Sequence, residues 1–132
     1  VKRILIVDDE PHVSRVLKLT LERAGYSVRT EPDGQAALAS VLHDQPDAMI
    51  TDIQMPRLSG RELMKMLHEL MPERRFPVLV MTSMTAREER EWVRAIPGIE
   101  FLEKPVSPRQ LIARLGRHFG NEQASVEVTG NV

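Results

Sequence analysis

This sequence predicts an α/β fold, a parallel sheet with helices packed on both faces, because five short apolar runs alternate with five helical patterns. Two further observations support it. The first run, Arg3 to Val7, is continuous branched aliphatic rather than alternating, as suits a strand covered on both faces. Three of the helical stretches are announced by the S/T-x-x-E/Q capping pattern. Pattern alone does not order the strands. The open doubly wound arrangement 2-1-3-4-5 is the common solution for a chain of 132 residues, and it places ligand chemistry at the carboxyl ends of strands one and three.

The elements follow in order. Helix one is expected from Pro11 to Ala24, with Val13, Val16, Leu17, Leu21 and Ala24 on one stripe and Gly25 as its stop. Ser27 to Glu31 alternates like an edge strand, and Pro32-Asp33-Gly34 turns the chain into a helix carrying Ala37, Leu38, Val41 and Leu42. Ala48 to Thr51 is strand three and runs straight into Asp52. Ser59 with Glu62, Thr85 with Glu88, and Ser107 with Gln110 open helices three, four and five, and Pro108 takes the first position of the last. Pro77 to Met81 and Ile99 to Glu103 are strands four and five. The fold is expected to occupy residues 1–120, with 121–132, polar and aperiodic, as a flexible tail or the start of a linker.

Composition narrows the function classes. A net charge of −1 leaves no electrostatic footprint for nucleic acid or anionic lipid, so no direct nucleic-acid binding and no membrane partner are expected. The absence of cysteine excludes disulfides and thiolate metal sites and is compatible with a cytoplasmic location. The apolar runs Ile4 to Val7 and Phe76 to Met81 fall far short of the ~20 residues a membrane span needs. No signal peptide is expected, because a strand-like segment begins at once. A start at Val1 rather than Met is what a segment trimmed or excised from a longer protein has. His12, His43, His68 and His118 lack ligand spacing and read as solvated, whereas Met64, Met66 and Met71 read as core filler on helix three.

Acids gather where the fold puts its ligand site. Asp8, Asp9 and Glu10 follow strand one, and Asp52 follows strand three. Crowded carboxylates raise one another's pKa unless a cation sits among them. Hard oxygen ligands without nearby His or Cys suit Mg²⁺, which takes one or two carboxylates plus a phosphate oxygen and keeps several waters. Thr82 ends strand four and Lys104-Pro105 ends strand five, so acids, a hydroxyl and a lysine converge on one basin.

In this set the chain resembles the receiver domain of bacterial response regulators, from Lys2 to about Phe119. The matching pieces are Ile6-Val7-Asp8-Asp9-Glu10, Asp52-Ile53-Gln54-Met55-Pro56 with Gly60, Thr82-Ser83, and Phe101-Leu102-Glu103-Lys104-Pro105. Asp52 stands 30 residues before Thr82 and 52 before Lys104, intervals that fit the family without gaps.

The resemblance implies a flavodoxin-like, doubly wound five-stranded parallel sheet with five helices. It implies a phosphoacceptor switch, not an enzyme in its own right, with Asp52 as the carboxylate nucleophile. Asp9 and Asp52 would bind Mg²⁺ through their side chains and Gln54 through its backbone carbonyl, with Asp8 holding metal-bound water. Lys104 would neutralise the phosphoryl oxygens, and Thr82 would turn inward to donate to one of them. Phe101 would rotate into the space released, and a cis bond before Pro105 would aim Lys104. Partners implied are a sensor histidine kinase or a histidine phosphotransfer protein, with a homodimer through the surface of helix four, strand five and helix five. Trp92, on helix four, would report motion of that surface. The family often has Gly-Ala before strand five where this chain has Pro97-Gly98.

Rival readings fail on particular residues. An FMN binder of this fold needs a Ser/Thr/Gly phosphate loop where three acids stand. A haloacid-dehalogenase-like phosphatase needs Asp-x-Asp after its first strand, and no P-loop motif occurs. The remaining alternative is a docking module of the same fold that works without phosphorylation.

Overall fold

The computed structural model describes residues 1–83, Glu91 and 94–120. The Thr85/Glu88 capping pattern, Trp92 and the tail from Asn121 lie outside the described residues. The elements are β1 (Arg3–Val7), α1 (Pro11–Arg23), β2 (Ser27–Glu31), α2 (Gly34–His43), β3 (Ala48–Asp52), α3 (Gly60–Leu70), β4 (Val78–Thr82), β5 (Ile99–Glu103) and α4 (Pro108–His118). Glu91, Arg94 and Ala95, between β4 and β5, are also helical. The five strands form one sheet in the order β2-β1-β3-β4-β5, all neighbours parallel, the arrangement anticipated from the sequence.

Strand alternation divides the core in two. Leu5, Val7, Met49, Val78 and Val80 face α2 and α3, packing with Ala37, Val41, Leu63, Met64 and Leu67. Ile4, Ile6, Ala48, Ile50, Leu79, Met81 and Leu102 face α1 and α4, packing with Leu17, Leu21, Leu111 and Leu115. Each fully buried Leu or Ile stabilises the fold by roughly 1.5–3 kcal/mol relative to an exposed one.

Helix ends follow local chemistry. At the end of α1 the Tyr26 amide donates to the Leu21 carbonyl and the Gly25 amide to Glu22, with Gly25 at φ 99, the paired bonds of a Schellman turn. The Ser59/Glu62 box closes in both directions at 3.1 Å, and the Ser107 hydroxyl accepts from the Gln110 amide.

The sequence-derived stripes need two corrections. On α1, Leu17 and Leu21 are buried with Ser14, while Val16 is 56% exposed; on α2, Leu42 is 53% exposed. His118 is not simply solvated, because its ring contacts the Glu100 carboxylate, which Arg114 also grips at 2.9 Å. Pro97-Gly98 forms a turn with Gly98 at φ 77, and the Arg74 guanidinium reaches across to the carbonyls of Pro97 and Phe76.

Candidate functional site

Register builds the site. Val7 pairs with Thr51, so Asp8 leaves β1 level with Asp52 on β3. Asp52 pairs with Met81, which sets Thr82 one residue further along β4. Thr82 pairs with Glu103, and Lys104 follows, its amide donating to the Thr82 carbonyl at 2.7 Å. Four strands thus deliver an acid, an acid, a hydroxyl and an ammonium to one edge. Alternation sorts them further: Asp8, Asp52 and Lys104 share the parity of the α1/α4 face, whereas Thr82 and Phe101 share the other.

Asp52 is held at both oxygens. Oδ1 accepts from the Ile53 amide at 2.7 Å, and Oδ2 accepts from Lys104 Nζ at 2.9 Å. The Lys104–Pro105 bond is cis. Burial acts to lower the Lys104 pKa, but the hydrogen bond and charge of Asp52, with Asp8 and Glu10 behind it, hold it above its ordinary value. Thr82 is buried, and Phe101, partly buried, packs against the α2/α3 core.

The acids lie close together: one carboxylate oxygen each from Asp8, Asp9 and Asp52 falls within 4.8 Å of the others. At that distance two buried carboxylates repel by about 3–4 kcal/mol at an effective dielectric of about 20. Asp8 is buried; desolvation pushes its carboxyl up, the Glu10 amide on Oδ1 at 2.9 Å draws it back, and the Asp52 charge raises it again. Asp8 Oδ2 is buried and has no hydrogen-bond partner among the described residues. An orphaned carboxylate oxygen in an all-oxygen cluster fits a hard divalent cation. Gln54 is exposed and lines one open cleft with Asp9, Met55, Pro56 and Ser59. On the far side of Lys104, a mostly apolar groove of about 600 Å³ runs between α1 and the Pro105–Pro108 segment, with Val13, Val16 and Val106 in its walls.

Sequence reasoning named the acids, Gln54, Thr82, Phe101, Lys104 and Pro105 but missed Val106, Asp33 and Arg57. Asp33, read only as a turn residue, caps α2 by accepting from the Ala36 amide at 2.8 Å and also accepts from Arg57 Nη1 at 2.9 Å. No local pattern could have shown the second bond, because the partners stand 24 residues apart.

Fold and site together define a doubly wound α/β domain with an acidic basin at its topological switch point. The model of the response regulator receiver domain matches residues 4–116, and the chain belongs to that family, the receivers of two-component signalling. Among curated relatives it is 34% identical over 114 residues to the alkaline phosphatase synthesis transcriptional regulatory protein PhoP of Bacillus subtilis, covering 86% of this chain and 47% of that protein. The chain therefore spans about half the length of such relatives. Among solved structures it is similar to the chemotaxis protein CheY4 of Vibrio cholerae, with TM-score 0.81 and 32% identity over 89% of this chain and 98% of that one. It is also similar to the signal receiver domain of a signal transduction histidine kinase from Syntrophus aciditrophicus, with TM-score 0.82 and 27% identity over 91% of each chain. No helix among the described residues is long and apolar enough to cross a membrane.

Proposed function

We propose that this domain accepts a phosphoryl group on Asp52 from the phosphohistidine of a sensor histidine kinase or a histidine phosphotransfer protein, in a Mg²⁺-dependent reaction. The observation that supports this best is the fixed carboxylate of Asp52, held by the Ile53 amide and by Lys104 beside Asp8 and Asp9. An Asp52 oxygen attacks phosphorus in line, an O–P bond forms, and the N–P bond breaks with its electron pair left on the imidazole. Asp9 and Asp52 would hold the metal by their side chains and Gln54 by its carbonyl, and Asp8 would hold a water bound to it. When bound, Mg²⁺ neutralises charge on the transferring phosphoryl oxygens. Lys104 stays with the modified Asp52 and pairs with a phosphoryl oxygen. The donor protein approaches over the groove between α1 and Pro105–Pro108, which opens beside Lys104.

The Thr82 hydroxyl then donates to the phosphoryl group, and Phe101, on the same side of the sheet, repacks. That change passes to the surface made by the chain before β5, β5 itself and α4, where a partner or a second copy binds. The domain is a switch rather than a turnover enzyme, and it works in the cytoplasm. The name of the B. subtilis relative describes a transcriptional regulator, of which this chain matches 47%, so the absence of direct nucleic-acid contact is proposed for the receiver segment alone.

Acetyl phosphate with Mg²⁺ tests the reading. The protein should take up a base- and hydroxylamine-labile label, and EDTA should abolish it. Failure to label from acetyl phosphate or any kinase would leave the phosphorylation-independent docking module in its place; a hydroxylamine-resistant label would move the acceptor to a hydroxyl residue.

A further inference from the structure

The loop between β3 and α3 carries Gln54 and is held at two places. At its base the Gly60 amide donates to the Ile53 carbonyl at 2.7 Å, and a Cβ on Gly60 would stand 2.2 Å from the Asp52 carbonyl oxygen. At its far end Leu58 lies so close to α2 that a Cβ on Gly34 would stand 2.3 Å from the Leu58 carbonyl oxygen. Between these points Arg57 has φ 68, a left-handed backbone that a side chain rarely adopts. Its guanidinium reaches Asp33, whose side chain is only 5% exposed, while the Arg57 side chain is 70% exposed. Burial therefore does not hold the arginine in this conformation; the Leu58 amide, which donates across it to the Pro56 carbonyl at 2.8 Å, and the bond to a fixed, buried carboxylate do.

We propose that Arg57 is a positioning residue for the cation site, clamping the tip of the β3–α3 loop to Asp33 at the head of α2 and so fixing the Gln54 carbonyl beside Asp9. The inference rests on the reading that Asp9, Asp52 and Gln54 hold Mg²⁺. Mg²⁺ demands near-ideal octahedral geometry, and a backbone carbonyl has no rotamer with which to adjust. Its placement is the placement of the loop, and outer groups that orient ligands tune affinity. Asp33 is suited to the task because its two oxygens are divided, one on the Ala36 amide and one on Arg57.

Mg²⁺ titration by calorimetry, together with the thermal midpoint of the metal-free protein, tests the clamp. Arg57→Gly relaxes the left-handed backbone but cuts the clamp, so Mg²⁺ affinity should fall about two- to five-fold, the range of a single solvent-facing ion pair. Asp33→Asn keeps an oxygen for the Ala36 amide and should cause a loss of similar size. The double variant should lose no more than either single one, and Arg57→Lys should recover part of the affinity. Affinity in Arg57→Gly equal to or tighter than wild type would overturn the clamp, since only the backbone would then matter. Fully additive losses in the double variant would overturn it as well. A wild-type protein that binds no Mg²⁺ would overturn the proposed function and the clamp together.

Discussion

At the amino ends of the strands, Arg3 donates to Asp44 at 2.7 Å and Asp47 accepts the Arg3 amide at 2.7 Å, while Arg29, from the middle of β2, reaches back to the Ser40 hydroxyl at 2.9 Å and to Asp44. At the carboxyl ends, Asp8, Asp9 and Asp52 crowd together and share Lys104. Both ends belong to one sheet, built from the same kind of strands. The first end pairs Arg3 and Arg29 with Asp44 and leaves one guanidinium nitrogen, Arg74 Nε, buried without a hydrogen-bond partner, whereas the second leaves negative charge in excess with a buried carboxylate oxygen unpartnered among the described residues. An imbalance of that kind lowers stability, and it makes the domain responsive to a cation or a phosphoryl group that restores the balance.

The contrast can be broken by substitution at either end. The largest effect is expected for Asp52→Asn, which should lose all acetyl phosphate labelling, whereas Asp44→Asn at the opposite end should label like wild type. Undiminished labelling of Asp52→Asn would place the acceptor elsewhere. Next is Thr82→Ala. One charge-assisted hydrogen bond contributes roughly 1.5–3 kcal/mol, and driving a switch from 1:99 to 99:1 takes about 5.5 kcal/mol. The variant should therefore be phosphorylated but only partly switched, as seen in amide chemical-shift changes on adding beryllofluoride and Mg²⁺. A complete shift would remove Thr82 from the mechanism.

Asp8→Asn should act in opposite senses with and without metal. Burial raises the Asp8 pKa in the fold, so its ionised form destabilises the metal-free protein above the ordinary carboxylate value of 3.8. Removing that charge should raise the metal-free midpoint by a few degrees, about 3–5 °C per kcal/mol for a domain of this size, and should shrink the Mg²⁺-induced rise. A lower midpoint in the metal-free variant would show that the excess charge is not destabilising. The smallest effect belongs to the amino end. Arg3 holds the Asp44 carboxyl below its ordinary 3.8, so its contribution is present above that value and is lost as pH falls through the lower, folded value. Asp44→Asn should flatten this acid limb of the urea midpoint slightly, because both partners are nearly half exposed to solvent. An unchanged limb would mean that the pair contributes nothing.

Strand positions were legible because burial writes itself into the residue pattern, as an unbroken apolar run in the covered strand β1 and as alternation in the edge strand β2. Arg3–Val7, Ser27–Glu31 and Ile99–Glu103 lie where the pattern put them. Strand four begins at Val78 rather than Pro77, whose ring leaves no amide to pair, although its carbonyl accepts from Met49 at 3.0 Å. Helix stripes were less legible. Val16 and Leu42 are as apolar as their buried neighbours, and only the sheet's extent decides which edge of a stripe is covered. The acids, the hydroxyl and the lysine stood out because each closes a strand. Asp33 with Arg57 and Glu100 with His118 did not, since their meeting depends on how separate elements pack.

The staggered register has a consequence for how the gene tolerates editing. Asp52, Thr82 and Lys104 each sit at a fixed count from the pairs that align their strands. Deleting a single codon inside β4 would turn the remaining residues to the opposite face and withdraw Thr82 from the basin, even if every surviving residue were innocuous there. An insertion at the exposed turn of Pro72 and Glu73 leaves those counts untouched. A scan of single-codon deletions and insertions should therefore divide this domain sharply, with the sequence inside β3, β4 and β5 intolerant of changes in length and the turns at their amino ends permissive.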